Sequence, residues 1–192
     1  MEKVICKICG MEINVRNYDL NREGLINKNS SEEINSCPFC GAGNEYIAHN
    51  NLINYGDTLL DYNTIKILDN AMKLEVFNGD FYRKASFLAE EEKNRKLFEA
   101  LSKIEMIHAR VHQKLGGFKE LPVLKEMDYS KYKGDEILLE MASKREVHAV
   151  EYYSRYTDIV CSEHIKEVFR ALSKVEREHI ELTLYEIKNK SI

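Results

Sequence analysis

The sequence contains no long apolar stretch, no block of basic residues and no tryptophan. No apolar run approaches the roughly 18 residues needed to cross a bilayer, and the N-terminal segment MEKVICKICG lacks the charged and apolar regions of a secretion signal. The 28 basic residues are interspersed with 32 acidic ones, so the chain lacks the basic surface that follows nucleic-acid phosphates. We therefore expect a soluble, cytoplasmic protein that binds neither nucleic acid nor membrane.

Cysteine is also scarce, but four of the five cysteines form two Cys-x-x-Cys pairs, CKICG at 6–10 and CPFCG at 37–41. In a reducing compartment such pairs bind metals more often than they form disulfides. The glycine after each second cysteine allows the backbone amides to turn toward the sulfurs, as in a tetrahedral four-cysteine site. The predicted metal ligands are Cys6, Cys9, Cys37 and Cys40. Thiolates accept iron and zinc alike, which leaves open an iron site or a structural zinc ribbon.

The chain divides into two parts of different composition. Residues 1–48 hold four of the five cysteines, four of the nine glycines and one of the two prolines, and this part is too small to bury a core alone. Residues 57–192 consist of amphipathic segments with apolar residues three and four apart, which predicts helices. We therefore predict a small rubredoxin-like or zinc-ribbon-like domain followed by a mostly α four-helix bundle.

The helical part contains an internal repeat at an offset of 71 residues. LFEALSKIEMIH at 97–108 aligns with VFRALSKVEREH at 168–179, so a Glu-x-x-His pair falls at the same place in both copies. The same offset places Glu75 on Glu146 and Tyr82 on Tyr153. The repeat predicts two copies of one helical hairpin.

The spacing of the glutamates predicts where each hairpin turns. Glu75 precedes Glu105 by 30 residues, and the same interval separates their counterparts in the second copy. A turn near the midpoints, residues 90 and 161, returns both glutamates of a hairpin to one height at about 1.5 Å rise per residue. Cys161, at the second midpoint, is interpreted as a plain small residue.

Two such hairpins supply the residues of a di-metal site inside a four-helix bundle. The six predicted ligands are Glu75, Glu105, His108, Glu146, Glu176 and His179. Each hairpin would bind one metal through two glutamates and a histidine, with Glu105 and Glu176 as the bridges. The negative charges of four carboxylates balance the positive charges of two divalent ions. Because the remaining ligands are only two imidazoles, each metal keeps coordination positions that an oxidant can occupy. A single Glu-x-x-His pair usually lies on a helix surface and binds no metal. Its repetition, together with both partner glutamates, favours a site of two irons, with manganese left open.

Two tyrosines are candidate catalytic residues. Tyr82 and Tyr153 follow Glu75 and Glu146 by seven residues, two turns along the same face. They are either core residues with satisfied hydroxyls or groups that bond the site carboxylates or relay an electron. His112, four residues after His108, is interpreted as a partly buried bystander rather than a second layer of the site.

CKICG, CPFCGAG, the Glu75-to-Tyr82 spacing, IEMIH and VEREH together resemble the rubrerythrin family, with the rubredoxin-like domain first rather than last. The resemblance covers almost the whole chain. It implies a ferritin-like bundle with a non-haem di-iron centre that reduces hydrogen peroxide to water. It also implies a third iron in the cysteine site that relays electrons from a redox donor protein. By this resemblance the protein would be a homodimeric, NADH-linked or rubredoxin-linked peroxidase that protects against oxidative stress.

The sequence departs from that family at two points, which keeps alternatives open. The stretch between Cys9 and Cys37 is longer than in the family's usual short ribbon, and Ala149 stands where rubrerythrins carry an additional carboxylate ligand. The six-ligand set also resembles di-iron oxidases, which react with dioxygen, and di-manganese catalases. A further alternative is a non-catalytic iron or redox sensor with a structural zinc ribbon, for which LINYGDTLLDYN would be the apolar partner surface.

Overall fold

The computed structural model describes residues 3–49, 59–129 and 131–190, with the side chain of residue 190 left out. Of the segment LINYGDTLLDYN, residues 52–58 lie outside this part of the chain, and the proposed partner surface therefore stays a prediction.

A small antiparallel sheet carries the first cysteine pair. Its strands are β1 (Val4–Cys6), β2 (Glu12–Ile13) and β3 (Ile47–Ala48), in the order β2-β1-β3. Val4 lies opposite Ile13, and Cys6 lies opposite Ile47. Because Cys6 ends the central strand, the sheet fixes the start of the first Cys-x-x-Cys turn.

Four long helices make up most of the rest of the described chain. They are α1 (Tyr62–Leu88), α2 (Glu92–Gly116), α3 (Asp135–Tyr156) and α4 (Glu163–Lys190). α2 and α4 begin 71 residues apart, as the repeat predicts. The turn between α1 and α2 contains residue 90, and the turn between α3 and α4 contains residue 161, so both predicted turning points are confirmed. The connection between α2 and α3 has no helix in its described residues.

Carboxylate side chains organise the helix ends. Asp61 accepts a hydrogen bond from the Thr64 amide at 2.7 Å and so caps the N-terminus of α1. Asp135, buried at the start of α3, accepts bonds from the amides of Glu90 and Glu91 at 2.6 and 3.1 Å. Asp135 therefore fastens the turn of the first hairpin to the beginning of the second.

The core is shared between the cysteine region and the helices. One buried cluster joins Ile8 and Ile13 of the N-terminal region to Leu68 of α1 and Phe169 of α4. A second cluster, centred on Phe81 and Phe98, occupies the other end of the bundle. Because the first cluster is common to both parts, the small cysteine region obtains the burial that it cannot provide alone.

The predicted fold class is confirmed: the protein is mostly α, with a ferritin-like four-helix bundle and a small N-terminal four-cysteine region. The domain boundaries at residues 48 and 57 stay a prediction. Among the described residues, none of the helices combines the length and the hydropathy of a membrane-spanning segment.

Candidate metal centres

The four cysteines of the two Cys-x-x-Cys pairs converge on one point. Their sulfur atoms lie within 4.8 Å of one another, with Cys6 Sγ 3.7 Å from Cys40 Sγ and Cys9 Sγ 3.7 Å from Cys37 Sγ. Such a group of four thiols has the composition of a tetrahedral iron or zinc site.

The two cysteine turns have the same backbone geometry. The Gly10 amide donates to the Cys6 carbonyl at 2.8 Å, and the Gly41 amide donates to the Cys37 carbonyl at 2.9 Å. Both glycines have positive φ, 77° and 76°, a conformation that side chains disfavour. Both turns therefore use the backbone freedom of glycine, and the orientation of their amides toward the sulfurs stays a prediction.

Burial favours the protonated form of Cys37 and Cys40 when no metal is bound. Burial raises the pKa of Cys37 and Cys40 well above that of an ordinary thiol, whereas hydrogen bonds from the neighbouring thiols, Cys37 first, lower the pKa of Cys6. Thiolates packed together without water are costly, and a metal ion deprotonates and neutralises them.

All six predicted ligands of the helical site are fully buried and meet in the middle of the bundle. α1 and α3 each contribute one glutamate, and α2 and α4 each contribute a Glu-x-x-His pair. Their ligand atoms form two overlapping groups within 4.8 Å: Glu75, Glu105, His108 and Glu176; and Glu105, Glu146, Glu176 and His179.

Glu105 and Glu176 belong to both groups and lie between the two histidines. Nδ1 of His108 is 3.2 Å from one oxygen of Glu105 and 3.0 Å from one oxygen of Glu176. Nδ1 of His179 is 3.1 and 3.0 Å from the other oxygen of each. Each carboxylate thus presents one oxygen to each side, which is the arrangement of a bridging ligand.

The helical site contains more hydrogen-bond acceptors than the hydrogens of its side chains can satisfy. Each histidine Nδ1 faces two carboxylate oxygens but carries one proton at most. Within the described residues, Oε2 of Glu75 and Oε2 of Glu146 are buried without a hydrogen-bond partner. Buried carboxylate oxygens are costly to leave unpaired, so the donor set fits two divalent cations.

The pKa values follow from the same crowding. Burial, then the charges of Glu176 and Glu105, raises the pKa of Glu75, and the pKa of Glu146 is raised in the same way. Burial opposes protonation of the histidines, but the facing glutamates outweigh it and raise the pKa of His179 to about 10. Protons therefore remain on this cluster at neutral pH, and metal binding must displace them.

Both candidate tyrosines are fully buried and donate hydrogen bonds across the bundle. Tyr82 on α1 donates to Glu146 on α3, and Tyr153 on α3 donates to Glu75 on α1. Burial, and next the facing carboxylate, raises the pKa of each phenol, which keeps it a donor. Of the two interpretations, bonding to the site carboxylates agrees with these contacts.

The interpretation of His112 as a partly buried bystander is wrong. His112 is fully buried, and its Nε2 lies 2.8 Å from the hydroxyl of Tyr153. Burial, then the charge of His108, lowers the pKa of His112 to about 3, so the neutral ring donates to Tyr153 while Tyr153 donates to Glu75. The sequence does contain a signal for this burial, since a position four residues after His108 lies on the same face of α2.

The two centres touch through one hydrogen bond. Nε2 of His108 lies 2.9 Å from the backbone carbonyl of Cys40, so this nitrogen carries the proton and Nδ1 faces the glutamates. The bond fixes the tautomer that a metal ligand needs. It also joins a residue of the four-cysteine site directly to a residue of the helical site.

A protein-family model described as Rubrerythrin matches residues 137–191. The match covers most of the second hairpin and includes Glu146, Glu176 and His179. Comparisons with curated proteins and with solved structures give no match. The similarity supports a non-haem di-iron protein, and the internal repeat carries the same ligand pattern into the first hairpin.

Ala149, the position of the family's additional carboxylate, is fully buried in the cluster that joins the two parts of the chain. Cys161 is exposed at the turn before α4 and lies in none of the three metal-binding groups.

Proposed function

We propose that this protein is a non-haem di-iron peroxidase that reduces hydrogen peroxide to water with electrons relayed through iron in the four-cysteine site. The observation that carries the proposal is the hydrogen bond between His108 and the carbonyl of Cys40. A purely structural zinc ribbon has no need of a direct bond to a ligand of the helical centre.

The reaction balances as H2O2 + 2 e⁻ + 2 H⁺ → 2 H2O, with both electrons supplied when iron occupies the helical site. The cysteine site accepts single electrons from a reduced donor. The bond from Cys40 to His108 is a direct hydrogen-bonded connection between the cysteine site and the helical site.

The residues of the bundle hold the metals and control protons. Glu105 and Glu176 would bind both metals, while Glu75 and Glu146 would each complete the ligands of one metal. Tyr82 and Tyr153 hold the two outer carboxylates in place through hydrogen bonds. Full burial excludes bulk water, which strengthens these electrostatic contacts.

A second candidate is a di-iron oxidase that reacts with dioxygen, and one observation favours it. Ala149 contributes only a buried methyl group where rubrerythrins carry a ligand associated with peroxide reduction. The six ligands that remain are those shared with di-iron oxidases. The two functions differ in which oxidant reoxidises the reduced centre faster.

The first test is the metal content per chain after anaerobic expression with iron, measured by elemental analysis. Three irons and little zinc support the relay, whereas one zinc makes the cysteine site structural. The reduced protein is then mixed with peroxide or dioxygen in a stopped-flow instrument. Faster reoxidation by peroxide supports the peroxidase, and faster reoxidation by dioxygen replaces it with the oxidase.

A Cys37→Ser variant tests the relay itself. It should abolish donor-driven turnover while the helical centre still reacts once with peroxide. Unchanged steady-state turnover would contradict the relay, and loss of the single reaction would show that the substitution had damaged the helical site.

A further inference from the structure

Asn78 of α1 has a side chain that is buried without polar contacts to the described residues. The residue is 1% exposed, and neither Oδ1 nor Nδ2 of its carboxamide has a hydrogen-bond partner in the described part of the chain. A carboxamide in this situation has given up its hydrogen bonds to water for nothing, which destabilises the fold. The structure of the folded chain alone therefore does not account for an asparagine at this position.

Helix periodicity places Asn78 among the residues that build the helical site. It follows Glu75 by three residues and precedes Tyr82 by four, so the three side chains share one face of α1. All three are buried. Asn78 thus lies on the inner face of the helix, between a predicted metal ligand and a tyrosine that bonds to another.

The neighbours of Asn78 on α1 show which helix it faces. Gly79 packs against Met106 of α2, whereas the ring of Phe81 lies 4.2 Å from the guanidinium carbon of Arg145 on α3. Around the helix axis, Asn78 is about 60° from Phe81 and about 100° from Gly79, on the side of Phe81. The carboxamide is therefore on the part of the inner face that is turned toward α3.

Two tyrosine–glutamate bonds fix the register of α1 against α3. Glu75 accepts a bond from Tyr153, and Tyr82, seven residues further along α1, donates to Glu146, seven residues back along α3. The two helices are therefore antiparallel at this level. Asn78 lies between the two bonds, inside the space that they enclose.

Ala149 is the counterpart of Asn78 in the second copy of the repeat, 71 residues later. It lies on α3 between the same two bonds, is fully buried, and contributes only a methyl group. The second hairpin thus packs without a polar side chain at this place. The carboxamide is an addition to one half of the site, and the packing of the duplicated hairpin does not require it.

We propose that Asn78 is a substrate-binding residue that holds hydrogen peroxide in the helical site and favours peroxide over dioxygen. The inference rests on the proposed function and names a residue that selects its substrate. Nδ2 donates to one oxygen of hydrogen peroxide, and Oδ1 accepts from a hydroxyl of the same molecule. Dioxygen has no hydrogen to donate, so it leaves Oδ1 unpaired and is held less well. Asn78 forms no covalent bond and supplies neither electrons nor protons.

The main test variant is Asn78→Leu, which keeps the approximate size of the side chain and removes both polar atoms. Because those atoms are unpartnered, the metal-free variant should have a higher midpoint of thermal unfolding than the unaltered protein. Asn78→Ala is a second variant that cannot overpack the core. A lower midpoint in both variants would mean that the carboxamide stabilises the fold, and would overturn the proposal.

The matched control is Thr183→Val, which also removes a buried polar group from the bundle. Thr183 is fully buried on α4, four residues after His179, but its hydroxyl lies 3.1 and 3.0 Å from carbonyl oxygens of its own helix. Its polar atom is therefore already paired, and the control should bind small ligands like the unaltered protein.

The first measurement is the binding of azide to the oxidised, iron-loaded protein, followed by visible absorption. Azide is an anion that accepts hydrogen bonds, so Nδ2 can donate to it without any turnover. Both Asn78 variants should bind azide about tenfold more weakly, because they lose a hydrogen bond to a charged group. Equal affinities in all the proteins, or no azide binding by the unaltered protein, would overturn the proposal.

Iron affinity, measured by competition with a chelator, separates this role from that of a metal ligand. An amide oxygen can also bind a hard cation. We expect Asn78→Leu to hold iron as tightly as the unaltered protein does. A loss of iron affinity as large as the loss of azide affinity would make Asn78 a seventh metal ligand and overturn its assignment to the oxidant.

The choice of oxidant is tested by mixing the reduced proteins with hydrogen peroxide or dioxygen. Reoxidation of Asn78→Leu by peroxide should be about tenfold slower, and reoxidation by dioxygen should be unchanged. Equal slowing with both oxidants would overturn the preference.

Azide binding involves no turnover, so it separates this inference from the proposed function. Weakened azide binding in a protein that does not reduce peroxide would leave Asn78 as a ligand-binding residue and remove the peroxidase. Peroxide reduction that is unaffected by either substitution of Asn78 would leave the peroxidase and remove this inference.

Discussion

Tyr153 donates to Glu75 and accepts a hydrogen bond from His112, whereas Tyr82 donates to Glu146 with no histidine at the corresponding place. The residue 71 positions after His112 is Thr183, whose hydroxyl lies 3.1 Å from the carbonyl of His179. At the scale of single residues, the repeat is therefore not exact, because only one of its two tyrosines has a histidine next to its hydroxyl.

This asymmetry predicts unequal effects of removing the two hydroxyls. Tyr153→Phe leaves Glu75 and His112 both without their bond, and we expect iron to be held about 10–100-fold more weakly. Tyr82→Phe is the matched control and should have the smaller effect, because only Glu146 loses a partner. Competition with a chelator measures both affinities, and equal losses would contradict a role for His112.

The protons on the helical site predict how metal-free stability depends on pH. Burial, opposed and outweighed by the glutamates, raises the pKa of His108 and His179 in the folded protein above the usual 6.5, to about 10 for His179. Their contribution is complete below pH 6.5 and is lost as the pH rises through the folded values. The raised pKa values of Glu75 and Glu146 act in the same direction, because they also reduce stability as the pH rises above 4.5. The lowered pKa of Glu105 affects stability only in acid.

The metal-free protein should therefore lose stability between pH 6.5 and 10, and the zinc-loaded protein should lose much less because metal replaces the protons. Thermal unfolding of both forms across this range provides the measurement. A parallel decline of both forms would show that the decline arises outside the metal-binding groups.

At the scale of structural elements, the second cysteine turn can lie close to α4 because Gly41 has no side chain. A Cβ there would lie 2.7 Å from Cγ1 of Val175, and the positive φ of 76° adds backbone strain. The close contact brings the Cys40 carbonyl within reach of His108.

Gly41→Ala should consequently separate the cysteine turn from the bundle. We expect it to destabilise the protein more than Gly10→Ala, which shares the strain of about 1–2 kcal/mol but belongs to the half-buried turn. Electron transfer from the cysteine site to the helical site should slow in Gly41→Ala alone.

Adding Val175→Ala provides the test of cause. If the clash is responsible, the double variant recovers part of the loss, and a double-mutant cycle gives the coupling between the two positions. Strict additivity would mean that backbone strain alone accounts for the effect of Gly41→Ala.

Considering the whole molecule, the cysteine site and the helical site of one chain are already in contact. Electron transfer between them should therefore be first order and independent of protein concentration, whatever the state of association. Stopped-flow traces over a hundredfold dilution provide the measurement. A rate that falls on dilution would indicate that the cysteine site of one chain serves the bundle of another.

The sequence was sufficient for the helices, their turning points and the convergence of six acidic and imidazole side chains. The 71-residue repeat and the three-and-four spacing are local signals, and local signals determine which face of a helix a residue occupies. The bond between His108 and Cys40 could not be predicted, because it joins segments 68 residues apart through a backbone carbonyl. The burial of His112 could not be predicted either, because a lone histidine four residues from another is common on helix surfaces.

His108 and His179 are equivalent in the repeat, yet Nε2 of His108 is bonded to Cys40 while Nε2 of His179 has no partner among the described residues. A duplicated hairpin should give a metal pair with interchangeable halves. Contact with the cysteine region on one side alone gives the pair a direction, so that the two metal positions should differ in reduction potential and fill with electrons in a fixed order. In this chain, the addition of a small N-terminal region would have converted a symmetric centre into a polarised one.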